Sequence, residues 1–305
     1  MPILWYLSSI QFSDKTLVSG VLLKKKPLIS SPGNSALKNA LMIIGSYLNT
    51  TCSNRDIVVN LKDQSVKIKT DEHGGFRITF DFCADGEVTI FEKNSSVALK
   101  TIQKYPIQFQ NAESTVTIIS DIDDSIMVSY TKTKIKRLLT TLFKPSHKRK
   151  VIPFTEELYK VYRHNKPRFF YVSKSESNLF PTISNFIRHN SLPEGSLFLT
   201  SYLSFSQLIN SKKDKDFKFN TISYIIENSA NQHFVLIGDD SQRDMEIYTR
   251  IAHKYKSKLQ SIYIRQTQNK SSSQKMETWK ILRETGIDAY YFKPEEIFSL
   301  THKTN

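Results

Sequence analysis

Asp121 and Asp123 are the side chains in this sequence best placed to do chemistry. They lie in Ser120-Asp121-Ile122-Asp123-Asp124-Ser125, directly after Val116-Thr117-Ile118-Ile119. That preceding run is β-branched and apolar, the pattern of a buried strand. The acids therefore cluster at the C-terminal end of a strand, where open α/β sheets bind their ligands. Being two residues apart, Asp121 and Asp123 point the same way if the strand continues. Carboxylates held that close repel unless a cation lies between them. Magnesium would supply that cation and leave one carboxylate free to attack phosphorus. A plain polar turn is the competing reading, because Asp and Ser favour turns.

Two further apolar runs end in polar groups. Phe169-Phe170-Tyr171-Val172 ends in Ser173, and Phe234-Val235-Leu236-Ile237 ends in Gly238-Asp239-Asp240. Asp244 follows, at the start of a helical pattern running through Met245 to Tyr255. Between these runs, Phe217-Lys218-Phe219-Asn220-Thr221-Ile222 carries a lysine into another helical pattern, with Lys212, Lys213 and Lys215 as nearby competitors. The order is Asp-x-Asp, Ser, Lys, Gly-Asp-Asp, and the three motifs that follow strands close them at the same end. This layout resembles the haloacid dehalogenase-like phosphatases. More narrowly, Ser120 to Ile126, Tyr171-Val172-Ser173 with Leu179-Phe180-Pro181, and Gly238-Asp239 with Asp244, Glu246, Ile247 and Tyr248 resemble the actin-patch phosphatidate phosphatase catalytic-domain family. Upstream, Ser19-Gly20-Val21-Leu22 and Thr70 to Arg77 resemble the β-rich domain that precedes it in bacterial members. The resemblance covers residues 17–265 and weakens over the last forty.

The resemblance implies roles. Asp121 would attack phosphorus and form an aspartyl-phosphate, while Asp123 would protonate the leaving alkoxide and then activate water. The metal would be Mg2+, held by Asp121, the main-chain carbonyl of Asp123 and Asp239, with Asp244 or Asp240 helping directly or through water. Ser173 would donate a hydrogen bond to a phosphoryl oxygen, and Lys218 would neutralise charge on that group. Plainer readings stand beside these. Ser173 is also an ordinary strand-end serine, Asp124 suits a loop brace, and Asp244 suits a helix N-terminus through the dipole. Three departures from the family pattern stand out. Ser173-Lys174-Ser175-Glu176-Ser177 lacks its usual Pro and Trp, Ser125 replaces Thr, and Asp240-Ser241 replaces Ser-Gly. The implied activity is a magnesium-dependent phosphomonoesterase, with phosphatidate the leading substrate. The alternatives are a phosphatase of another, soluble phosphomonoester and a catalytically silent phospholipid-binding module. Retention of Asp123 argues for an enzyme.

These residues need a scaffold. From residue 114 onward strands alternate with helices, which favours a parallel sheet. Strands are expected at 116–121, 169–173, 197–200, 234–238 and 261–265. Upstream, short alternating runs recur at 56–60, 66–69, 76–82 and 88–91 with turns between, as in a small sandwich or barrel. One helical interruption, 36–48, places Leu37, Leu41, Ile44 and Leu48 at helical spacing. The expected organisation is a β-rich domain over 1–113 and a Rossmann-like α/β domain of haloacid dehalogenase type over 114–305. Asn269 to Gln274 reads as a surface loop.

The 305 residues carry a formal charge of +14, of which +11 falls after residue 115. From Ser125 to Thr155 there is no Asp or Glu but eight Lys and Arg. Within that stretch Ile135, Leu138, Leu139, Leu142 and Phe143 form an apolar stripe at helical spacing. Residues 132–144 thus read either as a helix with a solvated basic face or as a peripheral contact with anionic membrane. Nucleic-acid binding rests on charge alone, without a recognised motif. No apolar run is long enough to span a bilayer as a helix. The apolar start lacks a basic n-region, and the two cysteines have no metal-type neighbours, so the expected location is cytoplasmic, either free or peripheral at the membrane.

Overall fold

The computed structural model describes residues 2–27, 36–83, 85–111, 114–122, 158–162, 166–210, 214–240, 243–267 and 271–293, with the side chains of 36–40 and 209–210 left aside. Asp123, Asp124 and the basic stretch 132–144 lie outside the described residues.

The first strands, β1 (Ile3–Gln11) and β2 (Thr16–Leu23), form an antiparallel hairpin. Helix α1 (Ala36–Leu48) follows. Next come β3 (Asp56–Leu61), β4 (Gln64–Lys69), β5 (Gly75–Phe80), β6 (Val88–Glu92) and the short β7 (Gln108–Phe109). They make two sheets, β5-β2-β1-β7 and β4-β3-β6. Alternate residues of both sheets meet in one core that includes Leu4, Val18, Leu22, Ile57, Val59, Phe76 and Ile90. The sheets stay separate, so this part is a sandwich and not a closed barrel.

Strand β8 (Val116–Ser120) opens a second architecture. It is followed by β9 (Arg168–Glu176), α2 (Phe180–His189), β10 (Ser196–Thr200), α3 (Phe205–Asn210) and α4 (Phe217–Asn228). The chain continues with β11 (His233–Asp239), α5 (Asp244–Tyr255), β12 (Leu259–Arg265), α6 (Ser273–Glu284) and β13 (Asp288–Phe292). The strands form one parallel sheet in the order β10-β9-β8-β11-β12-β13. A parallel sheet is covered on both faces, so its central strands read as continuous apolar runs. Every residue of β8 is buried, as is all of β11 after His233. Ile118, Phe169, Tyr171, Val235 and Ile237 face one layer, which includes α1 and α2. Ile119, Phe170, Val172, Phe234 and Leu236 face the other, which holds α4, α5 and α6.

The five expected strands of this sheet are present. Helix α6 and the sixth strand, β13, were not anticipated. Ser273 and Gln274, expected in a loop, open α6 behind the N-cap Ser272, whose hydroxyl accepts from the Lys275 amide at 3.3 Å. Packing also continues across residue 113. Tyr6 stacks on Phe180 with ring centroids 4.8 Å apart, and Phe12 stacks on Phe170. Arg168 is buried between Phe12 and Phe170 and donates to the Gln11 carbonyl. Among the described residues, no helix is long and apolar enough to cross a membrane.

Candidate active site

The order of the sheet decides which motifs meet. β9, β8 and β11 are neighbours, so Ser173, Asp121 and Asp239 emerge side by side at the C-terminal edge. The Asp121 amide donates to the Ile237 carbonyl at 2.8 Å, continuing the β8–β11 pairing by one residue. Lys218 arrives from the first turn of α4 and Asp244 from the first turn of α5, the two helices that cover the same face. Asp121, Ser173, Lys218, Asp239 and Asp244 are all buried, none more than 1 % exposed.

Lys218 is the hinge of this geometry. Its Nζ lies 2.9 Å from Asp121 Oδ1 and 2.6 Å from Asp244 Oδ1. Burial alone would lower the ammonium's pKa, but Asp121 and Asp244 outweigh it and raise the pKa well above lysine's usual value. Lys218 is therefore charged at any physiological pH. Of the competing lysines, Lys215 is exposed, and Lys212 and Lys213 lie outside the described residues.

Asp244 fits beneath the strand end because residue 238 is glycine. A Cβ there would come within 2.8 Å of both Asp244 Oδ2 and the Tyr248 ring. Tyr248 donates to the Ile237 carbonyl at 2.9 Å. Its own pKa is pushed far up by burial and by Asp244, Asp121 and Asp239, so it stays a neutral donor. Asp244 Oδ2 is buried and has no hydrogen-bond partner among the described residues.

Asp240 points elsewhere. Its Oδ1 accepts from the Thr267 amide at 2.9 Å and from the Thr267 hydroxyl, and Oδ2 accepts from Tyr291 at 2.7 Å. Lys275 Nζ stands 2.8 Å from Oδ2. Burial would raise this carboxyl's pKa, yet Lys275, Thr267 and Tyr291 together hold it below the usual range. Both oxygens are thus spent on the far side of β11, against β13 and α6. Of the two acids after Asp239, Asp244 is the one that faces Lys218 and Asp121.

Two buried carboxylates, Asp121 and Asp244, flank the buried Lys218 ammonium, and a third, Asp239, is buried at the same edge of the sheet. With all ionised, the described core of the site carries an excess of two negative charges, which burial penalises unless a cation compensates. That deficit suits a divalent ion on oxygen ligands. Among the described residues, no three His, Cys, Asp or Glu side chains are grouped so as to hold a metal ion, and Lys218 Nζ stands between Asp121 and Asp244.

Ser173 Oγ accepts from the Ser175 amide at 2.9 Å, which tightens the strand end. β9 then runs on to Glu176, farther than its apolar run suggests. The segment lacking the family's Pro and Trp is held by other means. Trp5 Nε1 donates to the Ser177 carbonyl at 2.7 Å, Ser177 Oγ donates to Thr200 O at 2.6 Å, and Asn178 Nδ2 donates to Leu203 O at 2.9 Å. Lys174, read from sequence only as a departure, is half-buried within electrostatic reach of Lys218, Asp244 and Asp121. Burial, then Lys218, lowers its pKa. A basic residue in place of a neutral one was its only sequence signal.

The model of the family described as "Phosphatidate phosphatase APP1, catalytic domain" matches residues 116–266. Among curated proteins, phosphatidate phosphatase APP1 of Saccharomyces cerevisiae is 29 % identical over 160 residues, covering 52 % of this chain and 27 % of the yeast protein. An uncharacterised protein of Schizosaccharomyces pombe is 26 % identical over 152 residues, covering 49 % of this chain and 25 % of its own length. The chain thus spans about a quarter of the length of the curated relatives it matches. Among solved structures, the Pnkp1/Rnl/Hen1 complex overlaps with a TM-score of 0.35 at 12 % identity, over 70 % of this chain and 54 % of that one. A Thermotoga maritima protein described as a beta-phosphoglucomutase overlaps with a TM-score of 0.36 at 13 % identity, over 62 % and 99 %. Overlaps this loose carry no argument.

Proposed function

We propose, from the premise that residues 116–266 belong to the phosphatidate phosphatase APP1 catalytic-domain family, that this protein hydrolyses a phosphomonoester, with phosphatidate as substrate. The observation that carries the reading is Lys218 bridging Asp121 and Asp244 at the end of a parallel sheet. We read that sheet as a haloacid dehalogenase-type domain over 114–305, preceded by a β-rich domain over 1–113.

In this reading an Asp121 oxygen attacks phosphorus and the bond to the leaving oxygen breaks. Asp123 gives its proton to the departing alkoxide, which leaves as diacylglycerol when the substrate is phosphatidate. Asp123 then takes a proton from water as that water attacks the aspartyl-phosphate. The acyl-phosphate P–O bond breaks, phosphate leaves and the Asp121 carboxylate returns. Lys218 holds one Asp121 oxygen in place, keeps the carboxylate ionised and offsets charge on the phosphoryl oxygens. Ser173 orients one of those oxygens, and Lys174 adds a second positive charge nearby. Magnesium on Asp121, Asp239 and the Asp123 carbonyl, with Asp244 behind, would offset the excess negative charge and polarise the phosphoryl group.

The test is phosphate release from dispersed phosphatidate and from water-soluble phosphate esters, after chelation and after adding back magnesium or zinc. Activity is expected to vanish on chelation and to return with magnesium but not zinc, because the ligands are all oxygen. Full turnover after thorough chelation refutes the metal assignment. Turnover confined to soluble esters refutes phosphatidate as the substrate and leaves the phosphatase reading standing. A cytoplasmic location with peripheral membrane contact completes the proposal.

A further inference from the structure

Helix α1 is apolar on two opposite sides. Met42, Ile43 and Tyr47 pack into the core beneath the parallel sheet. On the other side Leu41, Ile44 and Leu48 are 53 %, 42 % and 70 % exposed. At 100° per residue these three fall within one arc of about 60°. Lys38 is the only charged residue in the helix. A surface helix normally turns charged or polar residues to water. Three large aliphatic side chains in a row on such a face mark an interaction surface.

The surroundings of the stripe are basic. Lys24, Lys25 and Lys26 are exposed at the end of the segment leaving β2. That segment is tied to the C-terminal end of α1, because the Lys24 amide donates to Thr50 O at 2.9 Å and Asn49 Nδ2 donates to Lys25 O at 3.1 Å. From Lys15 to Arg55 the sequence contains no Asp or Glu. An aliphatic stripe beside uncompensated lysines matches the two components of an anionic bilayer surface, acyl boundary and charged headgroup. The helix also touches the site. Ser46 O accepts from Asn178 Nδ2 at 3.3 Å and from the Tyr202 hydroxyl, so α1 rests on the turn that leaves β9 beyond Ser173.

We infer that α1 docks this protein on an anionic lipid surface, with Leu41, Ile44 and Leu48 entering the interface and Lys24 to Lys26 meeting the headgroups. The inference rests on and extends the reading of a membrane lipid as substrate, and it names residues other than those of the 132–144 stretch.

The experiment is flotation of the full chain with phosphatidylcholine vesicles, with and without phosphatidylserine. The native protein is expected to bind only the anionic vesicles. Leu41→Ser/Ile44→Ser/Leu48→Ser should weaken binding by about 1,000-fold, since each side chain contributes roughly ten-fold. Replacing Lys24, Lys25 and Lys26 by Gln should cost about five-fold per charge. Leu48→Trp should bind as the native protein does and show a blue-shifted emission on vesicles. Three results overturn the inference: variants that bind as well as native, a native protein that does not bind, or a native dimer that the triple variant abolishes. A triple variant that melts well below native without vesicles also overturns it, because the stripe would then already be covered. Turnover of a soluble phosphate ester is read in parallel and should not change. If no ester is hydrolysed while stripe-dependent binding holds, the phosphatase reading fails and the docking surface stands.

Discussion

Lys218→Met and Asp121→Asn should abolish turnover alike and yet move stability in opposite directions. Lys218 is 1 % exposed and bonded at 2.9 and 2.6 Å to two carboxylates that are equally buried. Removing one member of a buried ion pair costs about 3–5 kcal/mol, because the other charge is left uncompensated. Here two charges are stranded, so a loss at the upper end, about 4–5 kcal/mol, is expected in chelator. For a chain of this size that is roughly 8–20 °C in melting temperature. Asp121→Asn removes one of three carboxylates buried at the same sheet edge, two of which pair with a single ammonium, and its amide oxygen can still accept from Lys218. Its stability should therefore match native or exceed it by up to about 1 kcal/mol. The raised pKa of Lys218 sets the pH range of its contribution. That contribution is complete below the unfolded value of about 10.4 and is lost only as pH climbs through the higher folded value. Urea denaturation at neutral pH, beside phosphate release, reads all of this. A Lys218→Met protein within about 1 kcal/mol of native would refute the excess-charge account of the site. So would an Asp121→Asn protein destabilised by more than about 2 kcal/mol. Full phosphate release by folded Asp121→Asn would sink the nucleophile assignment.

Two other substitutions separate positioning from chemistry. Gly238→Ala puts a Cβ 2.8 Å from Asp244 Oδ2 and from the Tyr248 ring. It should cost about 1–3 kcal/mol in denaturation and at least about ten-fold in turnover, and native-like kinetics would mean that Asp244 need not sit where it does. Asp240→Asn loses the 2.8 Å pair with Lys275 but keeps the oxygen that accepts from Thr267. It should cost about 1–2 kcal/mol in stability and leave magnesium dependence unchanged. The Asp240 carboxyl pKa is depressed, so the difference from native should be full above about pH 4 and shrink as pH falls below that. A changed metal requirement in this variant would return Asp240 to the candidate ligands.

The strand ends were legible because each is a β-branched or aromatic run stopped by a polar group, and a parallel sheet lines such stops along one edge. Their spatial order was not legible: β8 lies between β9 and β11 because of crossovers, which no local pattern encodes. Asp240 and Asp244 were indistinguishable by spacing, since the difference lies in Thr267, Lys275 and Tyr291, which reach Asp240 from the segment after β12, from α6 and from β13. Neither α6 nor β13 was read from the sequence, for a related reason. α6 buries only Leu282 and so shows a weak apolar period, while Asp288-Ala289-Tyr290-Tyr291-Phe292 is a short edge strand. In α1 the helical spacing of Leu41, Ile44 and Leu48 was legible, but with two apolar sides it could not tell which side is buried.

The same physics explains how the second motif tolerates its departures. Ser173 must hold its position at the end of β9, and the backbone beyond it needs partners for its polar groups. Here the partners come from distant parts of the chain. Trp5 of β1 closes on Ser177, the Thr200 hydroxyl donates to Ser175 O at 3.1 Å, and Asn178 bridges Ser46 and Leu203. All of these groups but Thr200, which is partly exposed, are buried, and a lost bond at a buried one would leave a donor or acceptor unsatisfied at about 1–3 kcal/mol. The first sheet and α1 are thus part of what holds the Ser173 side of the site. Lys174 can then project from a fixed backbone toward Lys218 and Asp121 without the rigidity that a proline would add.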